Sequence, residues 1–171
     1  MRIQSQRFGE FEIDPRDIIH FPEGLIGFVE DQKFVLVRHR QTSPIGWLQS
    51  VTRADFALPV VSVDALSLQD PAILSLARLA KGDGAPDGPA DYAVMAVLCA
   101  PAGQRATVNL LAPIVVDVRT HQGAQIILDS STYSTVEPFV LRQAAQLEQA
   151  AEQAAPTGVE AVAVPTPSAT P

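Results

Sequence analysis

The sequence predicts an all-β, antiparallel single domain with one short helix and a C-terminal extension of different character. Three observations predict it. From residue 1 to about 133, short apolar runs follow one another closely and are broken by Gly, Pro, Asp and Ser, the pattern of an antiparallel domain. An apolar fraction of 47% against 18% charged residues is that of a chain that packs a core. A length of 171 residues suits one such core better than two.

Taken in order, Glu10-Phe11-Glu12-Ile13-Asp14 alternates with period two, so a strand here turns Phe11 and Ile13 inward and three carboxylates outward. Phe34-Val35-Leu36-Val37 is apolar throughout and rich in strand-forming types, which predicts a strand covered on both faces. Trp47–Val51 and Phe56–Val63 read as two further strands. Pro59 has no amide to donate and belongs on an edge or at a bulge.

Tyr92–Cys99 and Ala106–Leu111 form a predicted hairpin, with Cys99 read as a small buried residue of the apolar run. Ile114–Val118 and Ala124–Leu128 form a second, around the polar connector Arg119–Gly123. Between these strands, Asp70-Pro71 followed by apolar residues at helical spacing predicts a short helix over 70–80. The Gly- and Pro-rich stretch 81–89 ends it.

The tail divides in two. Ser134-Thr135-Val136-Glu137 resembles a capping box, and Val140, Ala144, Leu147 and Ala151 recur at helical spacing, which predicts a helix over 134–155. Residues 156–171, rich in Pro, Ala and Thr, are expected to be disordered. The domain itself is expected to span 1–133.

Charge and composition exclude several functions. The net charge is -7 and no block of Lys or Arg is present, so direct binding to nucleic acid is not expected, whereas basic partners suit such a surface. The first residues lack the apolar stretch of a secretory signal, no window reaches the length of a membrane helix, and there is a single cysteine. These features predict a cytoplasmic location with no membrane partner. His20, His39 and His121 lie far apart, Gly82-x-Gly84 leads towards a strand rather than opening a helix, and no nucleophile elbow or phosphate loop is present. No catalytic residue, metal or cofactor is therefore expected. The alternative to a binding protein is a ligand-carrying or catalytic β-barrel, which requires an apolar interior pocket.

Several segments resemble, in order, those of the FliW family: Phe8–Ile13, Ile18-Ile19-His20-Phe21-Pro22-Glu23-Gly24-Leu25-Ile26-Gly27-Phe28, Lys33–Leu36, Pro44–Ser50, Ala106–Ile114 and Gln125–Leu128. The resemblance implies a barrel-like fold, no enzymatic activity, and two competing protein partners, flagellin and the RNA-binding translational regulator CsrA. In that scheme flagellin holds the protein until it is exported. The freed protein then binds CsrA and relieves repression of flagellin synthesis. Trp47 and Leu48 are read as core anchors, Gly24 and Gly27 as turn formers, and Asn109 as an internal hydrogen-bonding residue. The partner-binding candidates are Glu10, Glu12 and Asp14.

Overall fold

The computed structural model describes residues 1–40, 43–66, 92–141 and 160–161. The chain begins with a hairpin, β1 (Arg2–Ser5) against β2 (Gly9–Glu12), paired from Arg2↔Glu12 to Ser5↔Gly9. A 3-10 turn at Pro15–Asp17 leads into β3 (Ile19–His20), β4 (Lys33–Arg38), β5 (Ile45–Ser50) and β6 (Ala57–Ser62). After residue 91 follow β7 (Tyr92–Cys99), β8 (Thr107–Asp117) and β9 (Gln122–Gln125). The short strands β10 (Glu137–Pro138) and β11 (Glu160–Ala161) complete the set.

Strands β3 to β9 are antiparallel neighbours in sequence order, and β9 returns to β3 through the parallel bridge His20↔Gln122. This closes a seven-stranded barrel. Closure removes the unpaired edges that an open sheet would leave to solvent.

Alternation along β4 explains its unbroken apolar run. Phe34 and Leu36 enter the barrel interior with Ile19, Phe21, Leu48, Met95, Ile114 and Val116. Val35 and Val37 face outward, beneath Ile3 and Ile13 of the N-terminal segment. A second outer layer, built on Val61, Val94, Ala96 and Val108, is covered by Val63, Leu66, Tyr133, Phe139 and Leu141. The barrel is thus one filled core wrapped on two sides.

Expected and observed strands agree closely at β4, β5, β6 and β7. Pro59 sits opposite Trp47 of β5, while the ladder to β7 begins only at Val60, so its missing amide costs no bond on that side. Four readings need correction. The two strands expected at Ala106–Leu111 and Ile114–Val118 are one, β8; its register against β7 shifts between Met95 and Val97, which gathers Leu110–Pro113 into an irregularity that accommodates Pro113. The Asn109 side chain caps it, accepting from the Ala112 amide at 3.0 Å, as expected of an internal hydrogen-bonding residue.

Cys99 is exposed, because it ends β7 at the barrel rim rather than lying within it. The helix expected from Ser134 does not begin there: Glu137 and Pro138 pair with Val108 and Thr107 of β8, and Leu141 bridges to Leu66. Tertiary pairing outweighs local helical spacing in this stretch. The strand expected at Ala124–Leu128 is β9, Gln122–Gln125, which takes in the end of the connector, where His121 is left-handed (φ 53°). Gly123 lies in β9, where a Cβ would come within 2.5 Å of the Phe21 ring. The helix expected over 70–80 and residues 142–155 lie outside the described residues. Of the segment 156–171, Glu160–Ala161 pairs with β4, and the rest is likewise outside them.

Candidate partner-binding surface

The three carboxylates singled out from the sequence lie on the N-terminal hairpin and just beyond it. Glu10 and Glu12 project from β2, 47% and 76% exposed, and one guanidinium serves both: Arg2 of the facing strand lies 3.0 Å from Glu10 and 3.3 Å from Glu12. Asp14 is not on the strand, which ends at Glu12. It caps the 3-10 turn, accepting from the Arg16 amide at 2.9 Å and pairing with the Arg16 guanidinium at 2.6 Å. The Arg16 side chain, followed by the Arg16 amide, holds the Asp14 carboxyl at a pKa of about 2. Glu10 and Glu12 thus share Arg2, while Asp14 lies beyond the end of the strand and has Arg16 beside it.

The hairpin is held by apolar and polar contacts together. Ile3 and Ile13 pack on Val35 and Val37, with Phe8 and Trp47 edge to face at 6.0 Å and the Arg7 guanidinium 3.5 Å above the Trp47 ring. Trp47 accordingly anchors this interface, while Leu48 lies in the barrel interior. The Ser5 hydroxyl donates to Gln49 Oε1 at 2.6 Å, and Gln49 Nε2 donates to the carbonyls of Ser50, Arg53 and Phe56 at 3.0 Å each. A fully buried amide is tolerated because its donors and its acceptor all have partners.

A second exposed feature is apolar. Leu25 and Phe28 bridge across a tight turn whose corners are Ile26 and Gly27, the latter at φ 82°. Gly24, at φ 67°, leaves no room for a Cβ, which would lie 2.5 Å from Val29 Cα. Both glycines thus form turns as expected, and the tip they create holds Ile26 and Val29 50% and 60% exposed. Phe28 lies against Phe56 at 4.2 Å between ring centroids. Gln125 Oε1 accepts from the Ile26 amide at 2.9 Å and so ties the tip to β9, two residues before the exposed Ile127. Below the tip, the buried Asp31 carboxylate accepts from the Ser50 hydroxyl at 3.0 Å and pairs with Arg53 at 2.9 Å, which fixes the base of the loop.

Sequence reading took Ile26 and Phe28 as part of a turn motif and missed their exposure. The available signal was apolar residues between closely spaced glycines, where a turn leaves side chains nowhere to pack.

Among the described residues, no group of three or more His, Cys, Asp or Glu side chains is placed to hold a metal ion, and no helix is long and apolar enough to cross a membrane. Ile19, Phe21, Leu25, Phe34 and Leu48 pack together in the barrel interior.

The model of the FliW protein family matches residues 2–139, the whole barrel with its hairpin. The chain belongs to the FliW family. A flagellar assembly factor FliW of Syntrophotalea carbinolica is 33% identical over 134 residues, covering 78% of this chain and 94% of the relative. One of Pseudothermotoga lettingae is 36% identical over 140 residues, covering 77% and 84%. The crystal structure of a flagellar assembly factor FliW superimposes with a TM-score of 0.61 at 28% identity, covering 81% of this chain and 96% of that one. The match ends before residue 142, so the C-terminal extension is not part of the family domain.

Proposed function

We propose that this chain is a non-enzymatic regulator of flagellar assembly that binds flagellin and, when released, binds CsrA in the cytoplasm and relieves repression of flagellin synthesis. The observation that carries the reading is the family match over residues 2–139, which embraces both exposed features, the acidic hairpin and the apolar tip. Its physics suits a protein-binding module. The chain's net charge of -7, to which Glu10, Glu12 and Asp14 contribute beside Arg2 and Arg16, favours a basic partner, and an acidic body beside an RNA-binding surface lowers that surface's potential and repels phosphate. The apolar tip at Ile26 and Val29 supplies the short-range contact that charge alone does not.

The reading requires neither cofactor nor nucleic acid. It is tested by mixing the purified full chain with flagellin, with CsrA, and with both, and resolving the mixtures by size-exclusion chromatography. Co-elution with each partner alone, and displacement of CsrA by excess flagellin, is the expected result. Elution of the chain at its own volume in all three mixtures would overturn it.

A further inference from the structure

Closing the barrel leaves part of the β4 edge without a barrel neighbour. Strand β3 covers β4 only at Phe34 and Lys33, because the chain turns away at Pro15–Asp17, where the 3-10 turn and a residue without an amide donor prevent the ladder from continuing. At its other end, Val37 keeps Trp47 of β5 on one side, and neither Val37 nor Arg38 has β3 on the other. That position is taken by β11, antiparallel, with Glu160 opposite Arg38 and Ala161 opposite Val37.

Three further observations make this pairing specific. Val159-Glu160-Ala161-Val162-Ala163-Val164 holds three valines and no proline within a tail otherwise rich in Pro, Ala and Thr, so it is the tail's strand-forming run. Next, Arg38 Nε is buried and has no hydrogen-bond partner, a donor left unsatisfied beside the open edge. The register places an acidic residue type opposite it, as electrostatic pairing between neighbouring strands favours. Finally, Gly46 on the neighbouring strand makes the space in which the Arg38 stem lies; a Cβ there would come within 3.3 Å of Arg38 Cγ.

We infer that the β4 edge at Val37–Arg38 is a docking site for an extended, acid-bearing strand, and that the chain's own C-terminal segment around Glu160 occupies it in cis. Adding a strand satisfies backbone groups that an exposed edge leaves open, and covalent attachment raises the segment's local concentration so that a short match suffices. The segment lies beyond residues 2–139, which the family model matches. It guards an edge that would otherwise pair with other chains.

Hydrogen exchange on the full-length chain tests the inference without any partner. Ala161→Pro removes the segment's amide, and Glu160→Lys places like charge opposite Arg38. Both are expected to speed exchange at residues 35–39 by roughly tenfold or more, while residues 92–99 and 107–117 keep their parent protection. A synthetic peptide of residues 156–165, added to the Ala161→Pro chain, should restore protection at 35–39, and the same peptide carrying Glu160→Lys should not. Parent exchange at 35–39 in both variants would show that the segment does not cover the edge. Failure of the parent peptide to restore protection would show that the edge is not a docking site.

Discussion

The N-terminal hairpin and the Gly24–Val29 tip are both exposed, both near β4 or the loop leading to it, and opposite in how they meet water. The hairpin carries charge, and each of its acids has an arginine of this same chain beside it, Arg2 for Glu10 and Glu12 and Arg16 for Asp14. The tip carries apolar side chains, and Ile26 and Val29 remain largely uncovered. Opposite charges paired within the chain largely cancel at a distance, so what these acids offer an approaching partner is the charge that Arg2 and Arg16 leave uncompensated, which salt screens. Exposed apolar surface acts only on contact. In the binding event proposed above, the first region is assigned to approach and the second to retention.

The comparison breaks most severely if the hairpin is detached. Ile13→Ala, at a residue 4% exposed in the layer between hairpin and β4, is expected to cost roughly 2–5 kcal/mol in urea unfolding. An unchanged midpoint would mean that the hairpin is held by its polar contacts, with Gln49 at their centre. The tip responds to backbone rather than packing. Gly24→Ala forces a Cβ against Val29 at a positive φ and is expected to destabilise by roughly 1–3 kcal/mol, read in the same unfolding assay. Parent stability would mean that the tip has an alternative backbone available.

The smallest effect sharpens the electrostatic side. Asp14 should titrate at about 2 by NMR, and Arg16→Ala should bring it up towards the ordinary carboxylate range. Because the folded-state pKa is depressed, the stabilisation by this pair is present above the unfolded carboxylate's pKa and is lost as pH falls towards 2. An ordinary Asp14 titration in the parent chain would show that Arg16 does not hold the carboxylate in solution.

What the sequence disclosed follows from the range of the interactions involved. Strands β4 to β7 were legible because burial on one or two faces writes itself into neighbouring residues, as in Phe34–Val37. Gly24 and Gly27 were legible because a turn demands them. The continuity of β8 through Pro113 was not, since the irregularity that accepts the proline depends on β7. The exposure of Cys99 depends on where β7 meets the rim. The extended course of Glu137–Pro138 and the pairing of Glu160 with Arg38 rest on partners distant in sequence, and local spacing carries no trace of them. The candidate acids were legible as residues, but their arginine partners were not, because Arg2 reaches Glu10 and Glu12 only once β1 pairs with β2.

The central claim is that the hairpin governs approach and the tip governs retention, and binding kinetics with CsrA test it most directly. Two folded variants are compared with the parent across a range of salt: Glu10→Gln with Glu12→Gln and Asp14→Asn, and Ile26→Ser with Val29→Ser. The account predicts that the first slows association and flattens its salt dependence with little change in dissociation, while the second leaves association unchanged and speeds dissociation. Parent association and parent salt dependence in the first variant, together with parent dissociation in the second, would contradict it.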